Sequence, residues 1–76
     1  MTKNQEEIAN TLLQKLKDSK GKLHESDFGN EINTDLKNRD AAIKELIKIK
    51  LIENIGNGTY QLTKQGWEIG GFARIV

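Results

Sequence analysis

The stretch LKNRDAAIKELIKIK, residues 36 to 50, runs directly into LIENIGNGTYQLT, residues 51 to 63, and the change of pattern between the two decides the fold. In the first stretch, a turn of about 100° per residue places Leu36, Ile43, Leu46, Ile47 and the stem of Lys50 on one side of a helix, the side expected to be buried. Lys37, Ala41, Lys44 and Lys48 form a second stripe about 100° away, expected to face solvent or a partner. Residues 36 to 50 hold five cations against two anions, whereas residues 1 to 35 hold five cations against seven anions and residues 51 to 76 hold two of each. The positive charge of the chain is concentrated on this one predicted helix.

From Leu51 the period changes from 3.6 to 2, with Leu51, Ile55, Tyr60 and Leu62 alternating with Ile52, Asn54, Gln61 and Thr63 about the centre Asn57-Gly58. Asn-Gly between alternating segments is the strongest short-range signal for a tight hairpin. Pairing through it predicts Gly56 opposite Thr59, Ile55 opposite Tyr60 and Glu53 opposite Leu62. Thr63 is placed to cap a last short helix from Lys64, carrying Gly66, Trp67 and Ile69.

Upstream, Asn4 with Glu7 three residues later reads as a capping box before Ile8, Leu12, Leu13 and Leu16, predicting a helix from about Gln5 to Ser19. Gly21 supplies the left-handed residue that commonly ends a helix, and Lys15, Lys17 and Lys20 lie near the negative end of its dipole. Gly21 to His24 is long enough only for a bridging strand with Leu23 turned inward. Phe28 and Ile32 are four apart, as the buried edge of a short helix over about Ser26 to Ile32 would require. Asn33-Thr34-Asp35 then marks the break before the basic helix. Two helices joined by so short a turn form a helix-turn-helix unit. Lys50 stands where glycine usually follows a helix, so a mildly strained backbone or an altered exit angle is expected there. Leu12, Leu16, Ile43, Leu46 and Leu51 are the expected centre of the core.

The chain has 76 residues, 36% of them hydrophobic, and a net charge of +1. That is enough for one modest core, not for two. With no cysteine, neither a disulfide nor a thiolate metal site can form. The N-terminal MTKNQEEIAN has no apolar signal core, and no apolar run approaches the roughly 18 residues of a membrane span, so the expected location is the cytoplasm. His24 beside Glu25 and Asp27 is a lone histidine, better read as a surface residue than as a metal ligand. Ser19 and Ser26 lack a spaced base, and Asp40 and Glu45 lie on a helix surface, so no catalytic constellation is assembled. The glycines form no phosphate-cradling motif. Neither an enzymatic activity nor a cofactor is expected.

The run AAIKELIKIKLIENIGNGTYQLTKQGWEI, residues 41 to 69, resembles the recognition helix, wing hairpin and start of the closing helix in bacterial and phage winged helix-turn-helix proteins. Those commonly show an apolar helix ending in Leu-Ile-Glu, a hairpin, and then an aromatic residue, a leucine and Thr-x-x-Gly. The compatible helix order extends the likeness over about residues 5 to 69. The resemblance implies an α+β fold: a winged helix-turn-helix domain over residues 1 to 69, with a three-helix core, a β-hairpin wing and a short C-terminal helix. Beyond it Gly70-Gly71 is expected to end the last helix, leaving residues 70 to 76 as a small apolar tail. The wing tip Gly56-Asn57-Gly58-Thr59 departs from the pattern in carrying no Arg or Lys.

It also implies binding of double-stranded DNA by a small transcriptional regulator or phage-type accessory protein, with the third helix in the major groove. The candidate DNA-binding residues are Thr34, Lys37, Asn38, Arg39, Ala41, Lys44 and Lys48. Asn and Arg side chains can pair bidentately with adenine and guanine edges, and the lysines suit phosphates. Thr34 and the helix N-terminus would offer a phosphate backbone N–H groups. Arg39, at the margin of the apolar stripe, either reads a base or buries its stem and pairs with Asp35 or Glu31. The bland reading of the lysine stripe is a solvated helix face. The alternative function is a protein interaction module in which Trp67, Phe72, Ile75 and Val76 dock to a partner or to a second copy in a homodimer.

Overall fold

The computed structural model describes residues 2 to 69; the expected tail contacts of Phe72, Ile75 and Val76 lie outside the described residues. These residues form a small α+β structure of four α-helices and one three-stranded antiparallel sheet: α1 (Lys3–Asp18), β1 (Lys22–His24), α2 (Asn30–Asn33), α3 (Leu36–Lys48), β2 (Ile52–Gly56), β3 (Thr59–Leu62) and α4 (Lys64–Glu68).

Helix α1 begins two residues earlier than the Asn4 box predicts. Thr2 is the cap: its Oγ1 accepts from the Gln5 backbone N–H at 3.2 Å, and the Gln5 side chain accepts from the Thr2 N–H at 3.1 Å. This reciprocal pair satisfies two backbone donors at once and also fits the cap-x-x-Gln pattern. At the other end, Lys20 (φ 62°) and Gly21 (φ 89°) are both left-handed, so glycine takes the second of the two positions and Lys20 bears the strain of the first. Gly21 then donates its N–H to the Leu16 carbonyl and accepts from the Leu62 N–H at 2.7 Å, fastening the helix end to the sheet.

The single helix predicted over Ser26 to Ile32 is instead a 3-10 turn, Glu25–Asp27, followed by Gly29 at φ 97° and then α2. Gly29 breaks the helical path, since its left-handed conformation is easily reached only by glycine. Phe28 and Ile32 are both buried all the same, entering the core from either side of the break. Asp35 caps α3 through the Asn38 N–H.

Helix α3 is rotated about its axis relative to the expected apolar face. Ala42, Ile43 and Leu46 are buried, but Leu36 is 52% and Ile47 38% exposed. Helix α1 packs along α3, and Ala9 on the one and Ala42 on the other are both at 0% exposure. The seam therefore runs over Ala42 and Leu46, leaving Leu36 and Ile47 at its margin. Lys50 leaves α3 at φ 65°, the strained exit expected in the absence of glycine.

The hairpin turns at Asn57 and Gly58, both with positive φ, as such a two-residue turn requires. Gly56 faces Thr59 as expected, but Asn54, not Ile55, faces Tyr60, and Ile52, not Glu53, faces Leu62. A β-bulge at Ile55 causes the slip: the Asn54 Oδ1 accepts from the Gly56 N–H at 2.8 Å, and one extra residue is spent on that strand. The slip exchanges faces, so Ile52 enters the core and Ile55 is 46% exposed. Strand β1 pairs with β3, giving the order β1-β3-β2.

All five expected core residues are buried, joined by Ala9, Leu13, Phe28, Ile32, Ala42, Ile52 and Leu62. Thr63 caps α4 through the Gly66 N–H at 3.1 Å, as predicted. No helix among the described residues is long and apolar enough to cross a membrane.

Candidate nucleic-acid interface

The outer face of α3 carries the three candidate lysines. Lys37, Lys44 and Lys48 are exposed, with half-buried Ala41 between them. Among the described residues the one ion pair is Arg39–Asp40, at 3.2 Å, so no carboxylate neutralises any of the three ammonium groups. Asp40, the exposed acid on this helix, is held by the Arg39 guanidinium, and Glu45 is half-buried. The result is a local positive stripe on a chain of nearly neutral total charge.

Asn38 and Arg39 are placed differently. The Asn38 Nδ2 donates to Asp35 Oδ2 at 2.9 Å, and its Oδ1 accepts from Gln5 Nε2 at 3.2 Å, so both ends of the amide are engaged and α3 is tied to the start of α1. The Arg39 Nη1 donates to Asn33 Oδ1 at 3.0 Å and its Nε to Asp40 Oδ1 at 3.2 Å, with the side chain only 16% exposed. The expectation that Arg39 buries its stem is met, but its partners are Asn33 and Asp40 rather than Asp35 or Glu31. Thr34 spends its hydroxyl proton on the Asn30 carbonyl at 2.7 Å. The N-terminus of α3 is filled by the Asp35 carboxylate, which repels the phosphate expected there.

Tyr60 on β3, close enough to Arg39 and Asp40 to feel their charges, was missed by sequence reasoning. Its ring packs on Phe28 with centroids 5.9 Å apart. Burial pushes its phenol above the usual range, Glu25 and Asp40 push the same way, and the Arg39 charge opposes them. The hairpin tip is tied down beside it: the Glu25 N–H donates to the Gly58 carbonyl at 2.8 Å. Gln5 was also missed as the strut on Asn38; no local pattern links it to a residue on another helix.

Trp67 on α4 is 48% exposed, with its indole against Gly21. Ile49, Leu51, Gln65, Glu68 and Ile69 line a shallow recess near it. His24 is exposed, and its Nδ1 accepts from the Ser26 N–H at 3.1 Å, capping the 3-10 turn. Among the described residues no group of three or more His, Cys, Asp and Glu is arranged to hold a metal ion. Comparison of the chain with protein-family models, curated proteins and solved structures gave no match, so the reading of this face rests on its chemistry.

Proposed function

We propose that the chain is a winged helix-turn-helix module that binds double-stranded DNA through the outer face of α3, as a small transcriptional regulator or phage-type accessory protein does. The observation that carries the reading is the stripe of Lys37, Lys44 and Lys48, exposed on one helix and free of ion pairs among the described residues. Three ammonium groups on a rigid helix can each take a phosphate, and the counterions released on contact drive binding. The element order supports it: three helices, then a hairpin and a closing helix, with the basic helix following a short turn.

The uncharged hairpin tip, held to Glu25, contributes no cation, so on this reading the lysines of α3 supply the phosphate contacts. A second reading, a protein interaction module, is favoured by one observation, the half-exposed Trp67 beside an apolar recess. Titration with duplex DNA at two salt concentrations, followed by amide chemical shifts, separates the two. DNA binding shifts the amides of α3, and Lys44→Ala and Lys48→Ala each lower the slope of log K against log salt by about one unit. Absence of binding at about 50 mM salt, where phosphate contacts are strong, overturns the reading and leaves the Trp67 face as the functional surface.

A further inference from the structure

The first two turns of α3 hold the side chains nearest the bases when a helix enters the major groove, and two of the polar ones there are already occupied. Bidentate reading of adenine requires the Asn38 amide to turn both its N–H and its C=O to the base. Here both are engaged, by Asp35 at 2.9 Å and by Gln5 at 3.2 Å, and freeing them would break the cap contact of α3 and its hydrogen bond to α1. Turning Arg39 to guanine would break its bonds to Asn33 and Asp40 and leave the Asp40 carboxylate unpaired against the DNA phosphates. Lys37 is exposed, but an ammonium is a rotatable point charge that takes a phosphate or a guanine edge with little geometric preference.

Two apolar side chains of these turns stay open to solvent, half-buried Ala41 within the lysine stripe and Leu36, and Leu36 offers the larger surface. Leu36 is the first residue of α3, is 52% exposed, and lies about 100° around the helix from the lysines. In the major groove, an apolar side chain meets one group that distinguishes a base pair by apolar contact, the C5 methyl of thymine. We propose that Leu36 is the specificity-determining residue of the interface, through contact with a thymine methyl, and that Asn38 and Arg39 are positioning residues that hold α3 in place. The proposal rests on the DNA-binding reading above, and its test separates the two.

The experiment compares the affinity of the full chain for two A·T-rich duplexes of one sequence, in one of which deoxyuridine replaces every thymidine. Burial of one methyl group predicts binding about fourfold tighter to the thymine duplex. Leu36→Ala should abolish that preference and keep the salt slope, whereas Lys44→Ala should lower the slope and keep the preference. Leu36 is exposed and alanine is the better helix former, so the variant folds, which circular dichroism verifies. Asn38→Ala should keep both ratio and slope while melting lower. Equal affinity of the unaltered protein for the two duplexes, or a preference that survives Leu36→Ala, overturns the proposal alone. Failure to bind either duplex at low salt overturns the DNA-binding reading with it.

Discussion

Gly66 is the position at which one added methyl group should do most damage for its size. It lies in the middle of α4, where alanine is ordinarily favoured over glycine by about 1 kcal/mol. A Cβ built there would stand 2.1 Å from the Leu51 carbonyl oxygen and 2.9 Å from a Leu62 methyl. The first of these is backbone, fixed by the exit from α3, so α4 itself must lift away. Lifting it strains or breaks the bonds from Thr63 to that exit, its N–H to the Leu51 carbonyl at 3.0 Å and its hydroxyl to the Lys50 carbonyl at 2.6 Å. Overpacking costs about 1 to 3 kcal/mol and each lost hydrogen bond about 1 kcal/mol. Setting the helix gain against these leaves a net loss of about 2 to 4 kcal/mol for Gly66→Ala, a fall in melting temperature of about 10 to 25 °C for a domain of this size. Gly56→Ala is the internal control: its φ is 104° but no atom lies within 4 Å of the added Cβ, so it carries backbone strain without a clash. Thermal melts followed by circular dichroism read both variants. A Gly66→Ala protein that melts at or above the parent would show that α4 does not sit on the Leu51 carbonyl.

Lys50→Gly should raise stability by about 0.5 to 1 kcal/mol, because glycine removes the left-handed strain at φ 65° and gives back part of the gain through a more flexible unfolded chain; an unchanged or lower urea midpoint refutes it. Tyr60 favours its neutral form in the folded state, its phenol lying above the ordinary value near 10. The stability this contributes is fully present below about pH 10 and lost as the pH rises through the folded value, so Tyr60→Phe should flatten the alkaline fall in urea melts. An equal fall in both proteins would remove Tyr60 as its source.

Much of the architecture was legible where its cause is local. Asp35 and Thr63 are polar caps beside apolar runs, and Asn57-Gly58 has the residues that a two-residue turn demands. What escaped has causes elsewhere in the chain or in competing side-chain bonds. Leu36 and Ile47 match a buried helical period as well as Ala42 does; which of them is covered depends on how α3 packs against α1, a contact between distant parts of the chain. The register beyond Asn54 turns on one side-chain bond to the Gly56 N–H, which the alternation of residues does not encode. At the candidate site the lysine stripe could be read from spacing alone. The occupation of Asn38 and Arg39 could not, because Gln5 lies on another helix and Asn33 and Asp40 compete with solvent for the same guanidinium.

The strand order β1-β3-β2 bears on the time course of folding. Strands β2 and β3 are neighbours in the chain, and a hairpin of that kind closes in about 1 to 10 μs. β1 must find β3 across α2, α3 and β2, a loop whose closure entropy is recovered only once α1 and α3 have joined. The edge β1 contributes is therefore acquired late. In a refolding experiment with pulsed hydrogen exchange, backbone amides within the hairpin should gain protection before those that bridge Lys22–His24 to Thr59–Gln61. A chain caught between the two stages would present β3 with one side unpaired, an open template on which a second chain could add a strand.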